Sequence, residues 1–312
     1  MNTQPTSAAL AHSDTVAGHA RQARMRRLIS HIIGRILIHT TLILLSLMAV
    51  VPVLWMISSS LKASTEVFAV PMQWFPETPR WANYADTFER APLWLNMWNT
   101  AVVSFLAVLG TVVSSVFVAY AFARMDWPGK SIFFALLIAT MMLPGIVLLV
   151  PRFIMFSKIF PAIFGFKWVN TFLPLVVPPW FAIYGFYIFL LRQFFLSIPV
   201  ELEDAARIDG ASTFRILWQI ILPLSKPALV SVIIFSFLYH YSDFLEPLIY
   251  LSNINTWTIA VAIRAFNDQY YATSWEIVFA SGTFALIPMI IIFFIAQRYF
   301  VQGIHLTGFG GR

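Results

Sequence analysis

The chain has no cysteine in its 312 residues, which excludes disulfides, thiol nucleophiles and thiolate metal sites and leaves the redox compartment unread. Charge is the second scarcity: Asp, Glu, Lys and Arg make up 11% of the residues, while hydrophobic ones make up 59%. A chain so poor in charge cannot clothe one or two soluble domains, so most of it has lipid as its solvent. Two motifs are missing as well. There is no G-x-x-x-x-G-K-[ST] phosphate loop, so the chain is not expected to hydrolyse ATP itself, and there is no H-E-x-x-H zinc signature. The 6 histidines are scattered and no Ser–His spacing emerges, which leaves an intramembrane enzyme without candidates. No catalytic centre and no bound cofactor are expected in this chain.

What is present is a series of apolar runs. Crossing ~30 Å of hydrocarbon takes ~20 helical residues, and six segments qualify: about 36–57, 99–123, 132–151, 171–191, 228–250 and 277–297. These runs are continuously apolar rather than alternating, so an all-α polytopic fold is expected and a barrel is disfavoured. The net charge of +6 is not gathered on a soluble module, so nucleic acid is not indicated. Instead Arg21, Arg24, Arg26, Arg27 and Arg35 precede the first run, where cations hold a terminus in the cytoplasm. An even number of spans then predicts N-in and C-in. The same cluster also suits a secretory signal, but the run is long for that and no small-residue cleavage site follows it. Residues 1–27, polar and without apolar periodicity, are expected to be a disordered cytoplasmic tail ahead of a transmembrane domain over 28–312.

Three features qualify the spans. In the second, Ala107, Thr111, Ser115, Ala119 and Ala123 form a ladder of small side chains, the means by which helices approach one another in lipid. Prolines at 52, 144, 178, 179, 247 and 288 lie in or at the rims of spans and predict kinks. Residues 59–95, with Pro71, Pro76, Pro79 and Pro92, exceed a simple connection and predict an external cap or docking surface. For Trp74, Trp81 and Trp94 within it, headgroup anchoring and substrate contact are both open.

The most informative segment lies between the fourth and fifth runs. Glu203, Asp204, Ala205, Ala206, Arg207, Ile208, Asp209 and Gly210 are followed, after nine residues, by Ile220, Ile221, Leu222 and Pro223. Pro199 suits a helix start, with Glu201, Glu203 and Asp204 at the positive end of its dipole and Glu203 four residues before Arg207. Leu202, Ala205 and Ala206 would share a narrow apolar face. Gly210 allows a left-handed turn, Ser212 or Thr213 can cap a second helix, and Pro223 would stop it. The result is an elbow of two short helices over 198–226.

The spacing E-A-A, three residues, G, nine residues, I-x-L-P resembles the coupling loop of inner-membrane subunits of binding-protein-dependent ABC importers. The flanks Ile198 to Leu202 and Pro223 to Pro227 resemble the maltose-type carbohydrate branch, as do Trp81 to Tyr84, Asn99-Thr100 and the tail Arg298 to Gly303. Asp204 stands where the signature acid is more often glutamate. The resemblance implies a permease subunit of a bacterial or archaeal cytoplasmic membrane that forms half of a sugar, oligosaccharide or polyol pathway. It also implies partners: a second related permease, two ATP-binding subunits carrying ATP and Mg, and an extracytoplasmic solute-binding protein. A secondary transporter without an ATPase is the rival, though convincing inverted repeats are not found.

The fifth run contains His240, Asp243 and Glu246. A carboxylate at membrane depth costs ~2.5 kcal/mol or more, so such groups face a cavity or a partner. Hydrogen bonding to sugar hydroxyls along a wet path and a structural ion pair are both open. A metal site lacks a second cluster of ligands.

Overall fold

The computed structural model describes residues 7–266 and 274–307 and, within these, the side chains outside 7–30, 296 and 298–307. The N-terminal arginines up to Arg27 and the tail motif 298–303 therefore lie outside the described side chains. Among the described residues there are helices and connections but no strand. Two units are distinguished, residues 1–58 and residues 59–312.

The first unit is almost entirely α1, Ser7–Ser60. It starts inside the segment whose composition predicts a disordered tail. Ala8, Ala9, Ala11, Ala17, Ala20 and Ala23 supply the physical reason: alanine has the best helix propensity, and extending an existing helix avoids the cost of nucleation. Farther on, Leu37, Leu44 and Met48 are exposed, as are the side chains around them on every face. A helix apolar all round requires an apolar medium.

The second unit is organised around α4, Leu93–Arg124. Its small-residue ladder is the packed face: Ala107, Thr111, Ser115, Ala119 and Ala123 are all buried. Against it lie α7, Leu173–Ser197, and α10, Lys226–Ser242. The ladder thus serves packing within the chain. Gly110, one turn along, lets the Trp180 ring approach so closely that an added Cβ would sit 2.5 Å from it. Tyr241 donates to the Ala285 carbonyl at 2.7 Å, joining α10 to α12, Trp275–Thr307.

Two predicted spans are broken. In place of a third span over 132–151 there are α5, Lys130–Met141, and α6, Gly145–Phe164. Pro144 lacks a backbone donor and disfavours helix at Leu143, which explains the break. The 12 residues of α5 rise only ~18 Å, too little to cross ~30 Å of hydrocarbon. Arg152, one residue beyond the expected third span, consequently lies within α6. In place of a fifth span over 228–250, α10 ends at Ser242 and α11, Leu245–Tyr250, follows. Among the described residues, 5 helices are long and apolar enough to cross a membrane, or 6 if α9, Thr213–Leu224, and α10 count as one span bent by 80°. Two π-turns, Met155–Ile159 and Leu217–Ile221, each precede a proline by two residues, Pro161 and Pro223. The wider turn relieves the clash between the proline ring and the carbonyl four residues back, so the helix passes through the proline.

Residues 59–95 are folded, with α2, Ser64–Val67, and α3, Ala82–Arg90. Asn83 donates to the carbonyls of Ser60 and Lys62 at 2.8 and 2.9 Å, and the buried Lys62 ammonium reaches the Gln73 carbonyl at 2.6 Å. Burial lowers the Lys62 pKa from its ordinary value, opposed by the Glu66 carboxylate. Trp94 stacks on Phe88, with ring centroids 5.5 Å apart, and meets Phe284 edge-on. Nearby, Asn96 and Asn99 both donate to the Trp257 carbonyl, at 3.0 and 3.1 Å. The loop after α11 is thereby pinned to the start of α4.

Because Ala119 is fully buried between helices, Ala119→Leu is expected to destabilise the chain by ~1–3 kcal/mol through overpacking. The exposed Leu109→Ala should change little. Thermal unfolding of both variants in detergent checks the contrast.

Candidate functional site

The elbow is present where the motif predicts it. α8, Glu201–Ile208, follows α7 after three residues; Ile198 is extended. Gly210 adopts φ 79°, the left-handed region that glycine enters without strain, and its amide donates to the Arg207 carbonyl at 3.0 Å. Ser212 then caps α9, its hydroxyl accepting from the Arg215 amide at 3.3 Å. Pro223 does not stop α9, because the π-turn accommodates it; the chain bends at the buried Ser225 instead.

The narrow apolar face of α8 is mostly open to solvent, and the burial falls elsewhere on the helix. Leu202 and Ala205 are exposed and Ala206 is half-buried, while the residue wholly withdrawn from solvent is Glu203. Its carboxylate lies 2.7 Å from the Arg124 Nε at the end of α4, with side-chain exposures of 1% and 9%. No motif in the sequence singles out Arg124. Its Nη2 also donates to the carbonyls of Phe195, at 2.7 Å, and Ile198, at 2.5 Å. One guanidinium therefore holds the end of α7, the connector and α8 together. Removing one member of a buried ion pair strands the other charge, at a cost of ~3–5 kcal/mol. Beside it, Arg192 donates to the Phe122 carbonyl at 3.3 Å and lies 4.0 Å over the Phe134 ring, fastening α7 to α4 and α5.

The remaining motif residues divide by exposure. Arg207 bridges outward from Glu203, at 3.4 Å, to Asp204, at 3.1 Å. Asp204, Asp209, Gly210 and Pro223 are exposed, whereas Ile220 and Leu222 are half-buried against the core of α4 and α7. Between α8 and α9 lies a notch of about 240 Å³ lined by Ala206, Asp209, Arg215 and Gln219 among others. An acidic, solvent-facing tip on a firmly held base suits attachment of another protein.

The second group gathers around the break between α10 and α11. Asp243 accepts from the Glu246 amide at 3.4 Å, and Glu246 pairs with Arg152 of α6 at 2.7 Å. Arg152, Asp243, Glu246, Tyr184 and Tyr239 line a cleft of about 550 Å³ together with Thr140 and Met141. His240 does not line it. That ring is buried, edge-on to Tyr184 and Tyr239 at 5.4 and 5.2 Å. Tyr184 and Tyr239 escaped the sequence reading, since aromatics in an apolar run carry no signal of a cleft.

The sequence matches the family described as binding-protein-dependent transport system inner membrane component over residues 111–306. The sulfoquinovosyl glycerol transport system permease protein of Agrobacterium fabrum is 31% identical over 83% of this chain and 88% of its own. The sn-glycerol-3-phosphate transport system permease protein of Yersinia enterocolitica is 32% identical over 77% of this chain and 85% of its own. Among solved structures, a bacterial ABC transporter involved in import of the acidic polysaccharide alginate superposes with a TM-score of 0.73 at 22% identity, covering 87% of this chain and 98% of that one.

At Gly210, where φ is 79° and no neighbour lies within 4 Å of an added Cβ, the constraint is backbone strain alone. Gly210→Val is expected to cost at least ~1–2 kcal/mol, and Gly210→Asn distinctly less. Comparative thermal unfolding of the two variants measures the difference.

Proposed function

Because the chain belongs to the family of binding-protein-dependent transport system inner membrane components, we propose that it forms half of the pathway of an ATP-driven carbohydrate importer. It is a multi-pass protein of the cytoplasmic membrane. The observation that carries the proposal is the elbow: two short helices at the motif's spacing, an exposed acidic tip at Asp204, and a base anchored by the buried Glu203. Such an elbow can receive displacement from an ATP-binding subunit and hand it to the spans. The N-in, C-in arrangement puts that elbow on the cytoplasmic side.

The assembly in this reading contains a second related permease, two ATP-binding subunits that hold ATP and Mg, and an extracytoplasmic solute-binding protein. The alginate transporter solved in complex with an alginate pentasaccharide-bound periplasmic protein, which shares the fold, supports the last of these. The carbohydrate class is supported by relatives named for sulfoquinovosyl glycerol and arabinooligosaccharides. Within the membrane, the cleft around Asp243 and the Arg152–Glu246 pair offers acceptors and donors to solute hydroxyls. Tyr184 and Tyr239 provide faces on which a sugar ring can lie. His240 supports Tyr184 and Tyr239 from behind rather than touching solute.

Purification is expected to recover this chain with an ATP-binding subunit, and solute uptake into vesicles should require that subunit and ATP. Uptake by the chain alone would overturn the reading. Asp204→Lys should abolish solute-stimulated ATP hydrolysis while membrane insertion stays normal. Asp243→Asn should lower uptake severalfold in an intact complex; undiminished uptake would remove Asp243 from the pathway.

A further inference from the structure

The chain between α7 and α8, residues 198–200, is where a bend would be most easily lost. Ile198 is extended, Pro199 has no backbone donor, and Val200 precedes the first turn of α8. Left to themselves, three such residues form a hinge. A hinge here would let α8 swing under load without moving α7, and displacement at the tip would be dissipated.

Arg124 crosses this connector from outside it. The planar guanidinium grips the Phe195 carbonyl before the connector, the Ile198 carbonyl within it and the Glu203 carboxylate beyond it. Nη2 bonded to both carbonyls and Nε in ion-pair contact with the carboxylate form one planar fork that sets the orientation of α8 relative to α7, and the arginine itself is the last residue of α4. Both side chains are almost wholly buried, so neither water nor salt competes for the contacts. Arg192 fastens α7 to α4 a turn away, so the two spans receiving the load are already joined.

The other exit from the elbow is built differently. α9 carries a π-turn over Leu217–Ile221 and meets α10 at an 80° bend. There the ladder of helical hydrogen bonds is interrupted.

We propose that Arg124 is a positioning residue that turns the α7–α8 connector from a hinge into a strut, so that displacement of the elbow reaches α4 and α7 as one body while the α9–α10 bend yields. This rests on the importer reading and adds a force path to it. Neither Arg124 nor Glu203 need touch solute or nucleotide for the device to work.

The absence of cysteine makes the test direct. Spin labels on cysteines replacing the exposed Leu196 of α7 and Leu202 of α8 report the angle across the connector in the full complex reconstituted in vesicles. In the otherwise native chain, label separation should be narrow and unchanged between nucleotide-free and ATP-bound states. Arg124→Lys keeps the charge but loses the fork. In that variant, the separation should broaden and the solute moved per ATP hydrolysed should fall severalfold, with recovery of the ATP-binding subunits unaltered. A separation that shifts on ATP binding in the native chain overturns the strut, and so does an unchanged transport ratio in Arg124→Lys. Should Arg124→Lys fail to assemble, the native-chain labels decide. A complex that never contains an ATP-binding subunit overturns the importer reading itself, and the strut with it.

Discussion

A carboxylate withdrawn from solvent must meet a cation, and the arrangement of this protein follows from the way Glu203 meets Arg124. The acid sits on the first short helix after α7, the cation at the end of α4, and neither element could hold its charge alone. Their pairing brings together segments about eighty residues apart in the chain and leaves Asp204 and Arg207 to face outward. The elbow is thus divided into a buried base and a polar tip. In the proposed assembly, that division lets one surface bind a partner while the other transmits what the partner does.

A related rule governs the membrane interior. Arg152 and Glu246 neutralise one another across α6 and the α10–α11 break, which lets two charges remain at the wall of a cleft without lipid as their neighbour. The helix breaks that form the cleft come from ordinary causes, proline at 144 and the Asp243 junction after Ser242. Breaks that shorten α5 and α10 also open the space they border. Elsewhere close approach replaces charge: the ladder on α4 and the seat for Trp180 at Gly110 let helices pack closely.

Much of this was legible along the chain. The all-helical membrane character, the ladder, the left-handed glycine and the Ser212 cap all follow from local chemistry, and each occurs where the residues indicated. The Glu203–Arg207 pair was visible for the same reason, since four residues on a helix are adjacent. Less was visible wherever the partner came from another element. The burial of Glu203 was not visible, because an amphipathic pattern treats an acid as solvent-facing. Pro144 marked the place of the break in the third run, though only as a kink, while no proline marks the break after Ser242 in the fifth, and the onset of α1 at Ser7 was hidden by a polar composition that still contains many alanines.

The linear order of residues by itself determined that the protein belongs in lipid, that it is built of helices, and that an elbow with a glycine turn at 210 lies between its fourth and fifth apolar runs. These are properties of short windows, set by hydration, helix propensity and backbone sterics. The tertiary structure alone decided that Glu203 points inward to Arg124, that Arg152 and Glu246 share a cleft with Tyr184 and Tyr239, and that His240 stands behind that cleft. Each of those outcomes is a pairing of distant groups, and the free energy of a buried charge or ring depends on what it finally touches rather than on its neighbours in sequence.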